Sequence, residues 1–159
     1  FAIGRNDTAL KQLAAMDSRV VTVKSEGKLE DFSKGLKDSV GYVDLYIDAL
    51  GAVKNGFLTE AGIGCVKGNG TCVICGGVQA DLKLNYSTLL WSQVTIRGSY
   101  MYSKTAPNEL MNLIDAGLLP LDKWFKIGDF TLDDVAEAIA KAAEWKGSKY
   151  AILAIAEHS

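Results

Sequence analysis

Three cysteines, a pair of aspartates, a lone histidine and several glycine-ended apolar runs are the features of this sequence to which chemistry could attach. Cys65, Cys72 and Cys75 form C-x6-C-x2-C, a spacing that invites a zinc reading. A structural zinc ordinarily takes four thiolate or imidazole ligands, and the single histidine, His158, stands one residue from the end. Cys72 and Cys75 would also face opposite ways on a strand and could not chelate together without a bulge. No metal site is therefore expected. His158 as a general base is outweighed by the usual inertness of a frayed terminus. Asp44 and Asp48 share a face of an expected strand, an arrangement that suits paired carboxylates in acid–base work. The expectation is instead that one turns to solvent while the other caps a loop.

The glycines say more. There are 16 in 159 residues, above the ~7% of average proteins, and four expected strands end in small residues. These ends are Gly4-Arg5-Asn6, Ala49-Leu50-Gly51, Cys75-Gly76-Gly77 and Gly98-Ser99. In open parallel α/β sheets, ligands lie beyond the carboxyl ends of the strands. Glycine there leaves no Cβ in the way, so a flat aromatic or sugar group can rest on main chain. Any one of these glycines could be an ordinary tight turn, but four at one edge point to a ligand shelf.

The elements that would position this shelf follow from periodicity. Short β-branched runs alternate with helical patterns, which predicts an α/β fold with a mostly parallel sheet and helices on both faces. Expected strands are Phe1–Gly4, Val20–Lys24, Tyr42–Leu50, Thr71–Cys75 and Lys149–Ile155. A further strand, Val94–Tyr102, alternates with period two and reads as a sheet edge. Helices are expected after an Asp7 cap, through Leu29, Phe32 and Leu36 up to Asp38-Ser39, and over Asn55–Val66. Gly68-Asn69-Gly70 reads as a turn. Another helix starts at Thr105 or Ala106 with Pro107 in its first turn and stops at Gly117. Thr131-Leu132-Asp133-Asp134 makes a capping-box start for the last helix. Trp91, Trp124 and Trp145 are expected in a core or an interface.

Length and charge bound the function. The chain is the size of one domain, and neither a repeat nor a dividing linker is visible. A net charge of −2 without basic runs argues against nucleic acid as a partner. The longest apolar stretch, Tyr150 to Ala156, is far short of the ~18 residues of a membrane span. Three clustered cysteines do not make a disulfide framework and suit a reducing, cytoplasmic setting. Phe1 reads as a cut end rather than the start of a signal peptide.

The order AIGRN, VDLYIDALG, GNGTCVICGGV, VTIRGSYMY, LMNLIDAGLL and FTLDDVAEAIAKA resembles the cofactor-binding half of the medium-chain dehydrogenase/reductase family, the zinc-type alcohol dehydrogenases and quinone reductases. The resemblance covers essentially the whole chain. It implies a Rossmann-like domain over residues 1–159 beginning at the family's second strand, with residues 147–159 assigned either to this domain or to a catalytic domain. It further implies a nicotinamide dinucleotide across the strand edge. Gly4, Arg5 and Asn6 would lie near the adenosine ribose, with Ala49, Leu50 and Gly51 near the adenine-side and ribose backbone. Cys75, Gly76, Gly77, Ser99 and Met101 would approach the nicotinamide carboxamide. The family's first strand and its G-x-G-x-x-G turn have no counterpart here. Gly62-Ile63-Gly64 is no substitute, because it sits in a helical pattern before a strand, whereas a pyrophosphate turn follows a strand and opens a helix. Catalytic zinc and its ligands would belong to an upstream domain, so no catalytic residue is assigned and this chain alone is expected to be inactive.

The second strand ends in Gly4 where enzymes of this kind that use the unphosphorylated dinucleotide usually carry an acidic residue. Arg5 and Asn6 follow, and a guanidinium can grip a 2′-phosphate with two bonds. NADP(H) is therefore expected over NAD(H), with an alcohol, carbonyl or quinone as the small-molecule partner. Two alternatives stay open: a metal-free quinone or enoyl reductase, and a non-catalytic Rossmann module acting in protein contacts. A homodimer through the 94–102 edge is expected from its apolar and aromatic content.

Overall fold

The computed structural model describes residues 1–119, 121, 125–144 and 150–155. His158, Trp124, Trp145 and the start of the strand expected at Lys149 lie outside these residues. Every strand pair described is parallel, and the strands fall into sheets of two, three and two. The parallel βαβ architecture and Rossmann-like class expected from the sequence are thus what the chain adopts. It divides into two compact units, Phe1–Lys24 with the described residues from Lys104 on, and Ser25–Ser103.

In the first unit, β1 (Ala2–Gly4) leads into α1 (Asp7–Met16) and returns as β2 (Thr22–Lys24), in register from Ala2↔Thr22 to Gly4↔Lys24. The cap of α1 is Asn6, not Asp7: the Asn6 side chain accepts from the Ala9 N–H over 3.1 Å. Asp7 is the first helical residue and pairs with Lys11 one turn on, at 2.7 Å. β2 is shorter than Val20–Lys24 because the chain is still turning there. The Val20 N–H donates to the Asp17 carbonyl, and the Asp17 carboxyl accepts from both the backbone and the guanidinium of Arg19.

The helix α6 (Ala106–Asp115) carries Pro107 in its first turn, where no N–H is needed, and ends before Gly117 at a φ of +69°. Sequence reading missed β6 (Phe125–Phe130), which pairs along its whole length with β7 (Tyr150–Ile155). Lys126, Gly128 and Asp129 disguise it, since residues of these types are depleted in strands. Thr131 and Asp134 form the expected capping box, followed by a 3-10 turn (Leu132–Asp134) and α7 (Val135–Glu144).

The second unit holds α2 (Leu29–Lys34), α3 (Leu36–Val40), β3 (Val43–Asp48), α4 (Phe57–Gly64), β4 (Val66–Ile74), α5 (Tyr86–Ser92) and β5 (Thr95–Gly98), with sheet order β3-β4-β5. The single helix expected to stop before Asp38-Ser39 is two short ones, broken at Gly35 and continuing through both residues. Gly68-Asn69-Gly70 is not a turn before a strand but a bulge inside β4. Val43 pairs with Val66 and Leu45 with Thr71, so β4 carries extra residues there, and Asn69 adopts a φ of +61°. Ile63, Val66 and Cys72 form a buried cluster under the sheet, with Tyr46, Leu89 and Ile96 packed on it. Leu45 and Ile47, on the other side of β3, are half exposed.

The strand expected over Val94–Tyr102 ends at Gly98. Met101 takes a φ of +56°, which breaks the extended path, and Tyr100, Met101 and Tyr102 are exposed. Among the described residues β5 pairs only with β4 and so stands at the edge of its sheet, as the alternation suggested. Trp91 is 83% exposed and so is no core residue. Among the described residues no helix is long and apolar enough to cross a membrane.

Candidate functional site

Because β3, β4 and β5 run parallel, their carboxyl ends share one edge, and Ala49-Leu50-Gly51, Cys75-Gly76-Gly77 and Gly98-Ser99 all leave the sheet there. Three of the four small-residue strand ends therefore meet on a single rim. The fourth, Gly4-Arg5-Asn6, leaves the carboxyl end of β1 in the other unit.

Backbone hydrogen bonds stitch the rim together. The Cys75 N–H donates to the Asp48 carbonyl at 3.0 Å, the Gly77 N–H to the Leu50 carbonyl at 2.7 Å, and the Ser99 N–H to the Ile74 carbonyl at 2.8 Å. Asp48 anchors this arrangement. One oxygen of its carboxyl accepts from the Leu50 N–H at 2.9 Å, and the other accepts from the Thr59 hydroxyl of α4 at 2.5 Å. Asp48 is thus the aspartate of the pair that caps a loop, as expected from the sequence, whereas its partner Thr59 is not among the residues the sequence singles out. The available signal was an acidic residue closing a strand, with a hydroxyl residue in the helix that follows.

This stitching decides what the rim can offer. The amides of Leu50, Cys75, Gly77 and Ser99 are already donating, so at these residues a ligand meets carbonyl oxygens and flat main-chain surface. A carbonyl has two lone pairs, so even one that accepts inside the protein can take a second donor, such as a carboxamide NH2. Gly76 is glycine for a local reason: a Cβ there would lie 2.5 Å from the Leu50 carbonyl oxygen and 2.8 Å from its nitrogen. Gly51 and Gly98 have nothing within 4 Å of where a Cβ would stand, and Gly77 has only ordinary contacts. The exposed residues Ala49, Gly51, Cys75, Gly76, Gly77 and Ser99 thus form an open surface poor in side chains. Met101, 72% exposed, lies just past the rim.

In the other unit Arg5 is exposed and Gly4 rests on Leu10, where an added Cβ would make an ordinary 3.5 Å contact. With its side-chain oxygen capping α1, Asn6 has its amide N–H groups as the donors of that side chain.

The remaining sequence candidates separate. Asp44 is exposed and pairs with Lys67, whose ammonium holds its carboxyl below the usual range, while Asp48 is 1% exposed. One faces solvent and one caps a loop, so they make no catalytic pair. Cys72 is buried, and burial, helped by Asp48, pushes its thiol up to about 11. Cys75, on the rim, is exposed and its Sγ–H donates to the Asp48 carbonyl at 3.1 Å. Among the described residues no three His, Cys, Asp or Glu side chains are placed to hold a metal ion. Gly62, inside α4, is glycine because the Tyr46 ring lies where its Cβ would be, which accounts for this glycine without a phosphate.

The sequence model of the family described as zinc-binding dehydrogenase matches residues 1–116. A search of curated proteins found no match. Among solved structures, the alcohol dehydrogenase zinc-binding domain protein from Burkholderia ambifaria is 21% identical, with a TM-score of 0.68 over 98% of this chain and 41% of its own. A short chain alcohol dehydrogenase from E. coli CFT073, complexed with cofactor NADH, is 15% identical, with a TM-score of 0.71 over 98% of this chain and 43% of its own. Benzyl alcohol dehydrogenase from Acinetobacter calcoaceticus is 20% identical, with a TM-score of 0.69 over 98% and 42%. At such identities the likeness is one of fold, and the chain spans less than half the length of each of these proteins.

Proposed function

The chain belongs to the zinc-binding dehydrogenase family, and from that premise we propose that it is the nicotinamide-cofactor-binding part of an alcohol dehydrogenase-like oxidoreductase. The reaction would be hydride transfer between NADP(H) and an alcohol or carbonyl. The observation that carries this reading is the rim of β3–β5, where three strand ends leave an exposed, hydrogen-bonded shelf of main chain.

A nicotinamide dinucleotide fits what these residues offer. The open space over Gly51 and Gly98 suits flat rings, and the carbonyls suit the carboxamide NH2 and ribose hydroxyls. The nicotinamide, when bound, supplies or takes the hydride. This chain's part is to orient it. Ala49, Leu50 and Gly51 would carry the ribose side, and Cys75, Gly76, Gly77, Ser99 and Met101 the carboxamide side. Asp48 holds the first two of these loops at fixed separation from beneath. Gly4 leaves room for a 2′-phosphate, the Arg5 guanidinium pairs with it, and the Asn6 amide donates to it. No described group fits a zinc ion, so no step is assigned to a metal in this chain.

Among the described residues β5 pairs with β4 alone, and its open outer side supports a homodimer through residues 94–102; a monomer at all micromolar concentrations by sedimentation would contradict it. Free thiols at all three cysteines suit a cytoplasmic setting.

Titration of the chain with NADPH, with NADH and adenosine as controls, tests the assignment through tryptophan fluorescence. A saturable change with NADPH is expected, and no saturable signal at millimolar cofactor would overturn it.

A further inference from the structure

We propose that the second unit carries another ligand site, distinct from the rim, for an amphipathic organic anion such as a medium-chain carboxylate. The observation is a half-open groove of about 850 Å³ between the β4 bulge, α4 and α5, within the range of roughly 300–1,000 Å³ typical of small-molecule pockets.

Its place in the fold separates it from the rim. Tyr42, Val66 and Val94, which line it, stand at the amino ends of β3, β4 and β5, whereas the rim leaves their carboxyl ends. At about 3.3 Å per residue, the length of β3 lies between the two sites.

The bulge supplies one part of the wall, beside α4 and the segment from Lys83 to Val94. Lys67 and Gly68, at its start, line the groove. The bulge closes tightly: at Gly70 a Cβ would lie 2.6–2.9 Å from Val66, the Asp44 carbonyl and the Lys67 carbonyl, so only glycine fits. Of the Gly68-Asn69-Gly70 sequence, which has no part in the rim, Gly68 faces this site and Gly70 lets the bulge close behind it.

The lining names the ligand. Ile63, Val66, Leu84, Leu89 and Val94 supply an apolar surface, and Trp91 adds an indole that is 83% exposed. Three lysines, Lys37, Lys67 and Lys83, stand against a single lining carboxylate, Glu60. Lys67 is engaged by the exposed Asp44, and the Lys37 ammonium contacts the Tyr42 hydroxyl at 2.7 Å. Glu60 accepts from the Lys83 backbone N–H at 2.8 Å, and among the described residues the Lys83 ammonium has no carboxylate partner. An inorganic anion would leave the apolar wall and Trp91 uncovered. A neutral lipid would leave the excess positive charge unmatched. A molecule with an apolar body and one anionic end satisfies both.

Calorimetric titration of the chain with decanoate, below its micelle range, tests this site. Saturable binding at one equivalent is expected, unchanged by saturating NADPH, absent for decyltrimethylammonium, weakened about fivefold in Lys83→Glu and kept in Lys83→Arg. Lys83 is exposed, and a circular dichroism melt matching the parent confirms that the variants fold. Absence of saturable heat, equal binding of the cation, an unweakened Lys83→Glu variant, or competition by NADPH would each overturn the proposal.

Discussion

The Thr59 hydroxyl donates to the Asp48 carboxyl over 2.5 Å, both residues being 1% exposed, and this bond ties the last residue of β3 to the first turn of α4. The other carboxyl oxygen holds the Leu50 N–H. A buried acceptor that loses its donor costs about 1–3 kcal/mol. Thr59→Val, close in shape, is therefore expected to lower stability by about that amount, read as a lower urea midpoint with an unchanged slope, whereas Thr59→Ser keeps the bond and most of the stability. A Thr59→Val midpoint equal to the parent's would contradict this role.

Adjacent glycines on the rim should respond differently. A Cβ at Gly76 would run into the Leu50 backbone at 2.5 Å, which no side-chain rotation can relieve, while at Gly77 the nearest atom is at 3.6 Å. Gly76→Ala is expected to cost about 1–3 kcal/mol as an overpacked site, and Gly77→Ala to stay within about 0.5 kcal/mol. Chemical denaturation of the two variants side by side checks this, and equal losses would refute the loop-to-loop contact.

How much of this was legible beforehand follows from particular residues. The rim was visible because glycine and other small residues closing apolar runs mark strand ends regardless of tertiary detail. The Pro107 start, the Gly117 stop and the Thr131–Asp134 box were equally local. Features set by contacts between distant residues were not visible. The Asp48–Thr59 bond joins residues eleven positions apart, the β4 bulge exists only in register with β3, and β6 is a strand through its pairing with β7 despite a charged, glycine-containing sequence. The reason for Gly62 is likewise the Tyr46 ring from another element.

Cys72 links stability to alkaline pH. Its thiol is pushed from 9.0 to about 11 by burial and by Asp48. A raised folded value means its contribution is fully present below pH 9 and is lost as pH rises toward 11. Urea midpoints measured from pH 8 to pH 11 should fall in the parent and fall less in Cys72→Ala. Identical pH profiles would show that Cys72 does not titrate from the buried state.

The proposed preference for NADP(H) rests on Arg5. Replacing it by aspartate removes the partner proposed for a 2′-phosphate and sets a repelling carboxylate in its place, so Arg5→Asp is expected to weaken NADPH by about tenfold or more, since hydrogen bonds to charged groups are worth about 1.5–3 kcal/mol, with NADH little changed. Dissociation constants for both cofactors decide it. An unchanged NADPH constant, or a parent that prefers NADH, would end the assignment.

The rim itself is tested most directly through Cys75, an exposed thiol among the residues proposed to face the nicotinamide. Iodoacetamide at pH 8, followed by mass spectrometry, should modify Cys75 in the native chain and reach the buried Cys65 and Cys72 only on unfolding. Adding NADPH should slow Cys75 alkylation in a saturable way, with the same half-saturation as the fluorescence titration. Alkylation of Cys75 at an undiminished rate, at NADPH concentrations where fluorescence has saturated, would place the cofactor elsewhere and contradict the account.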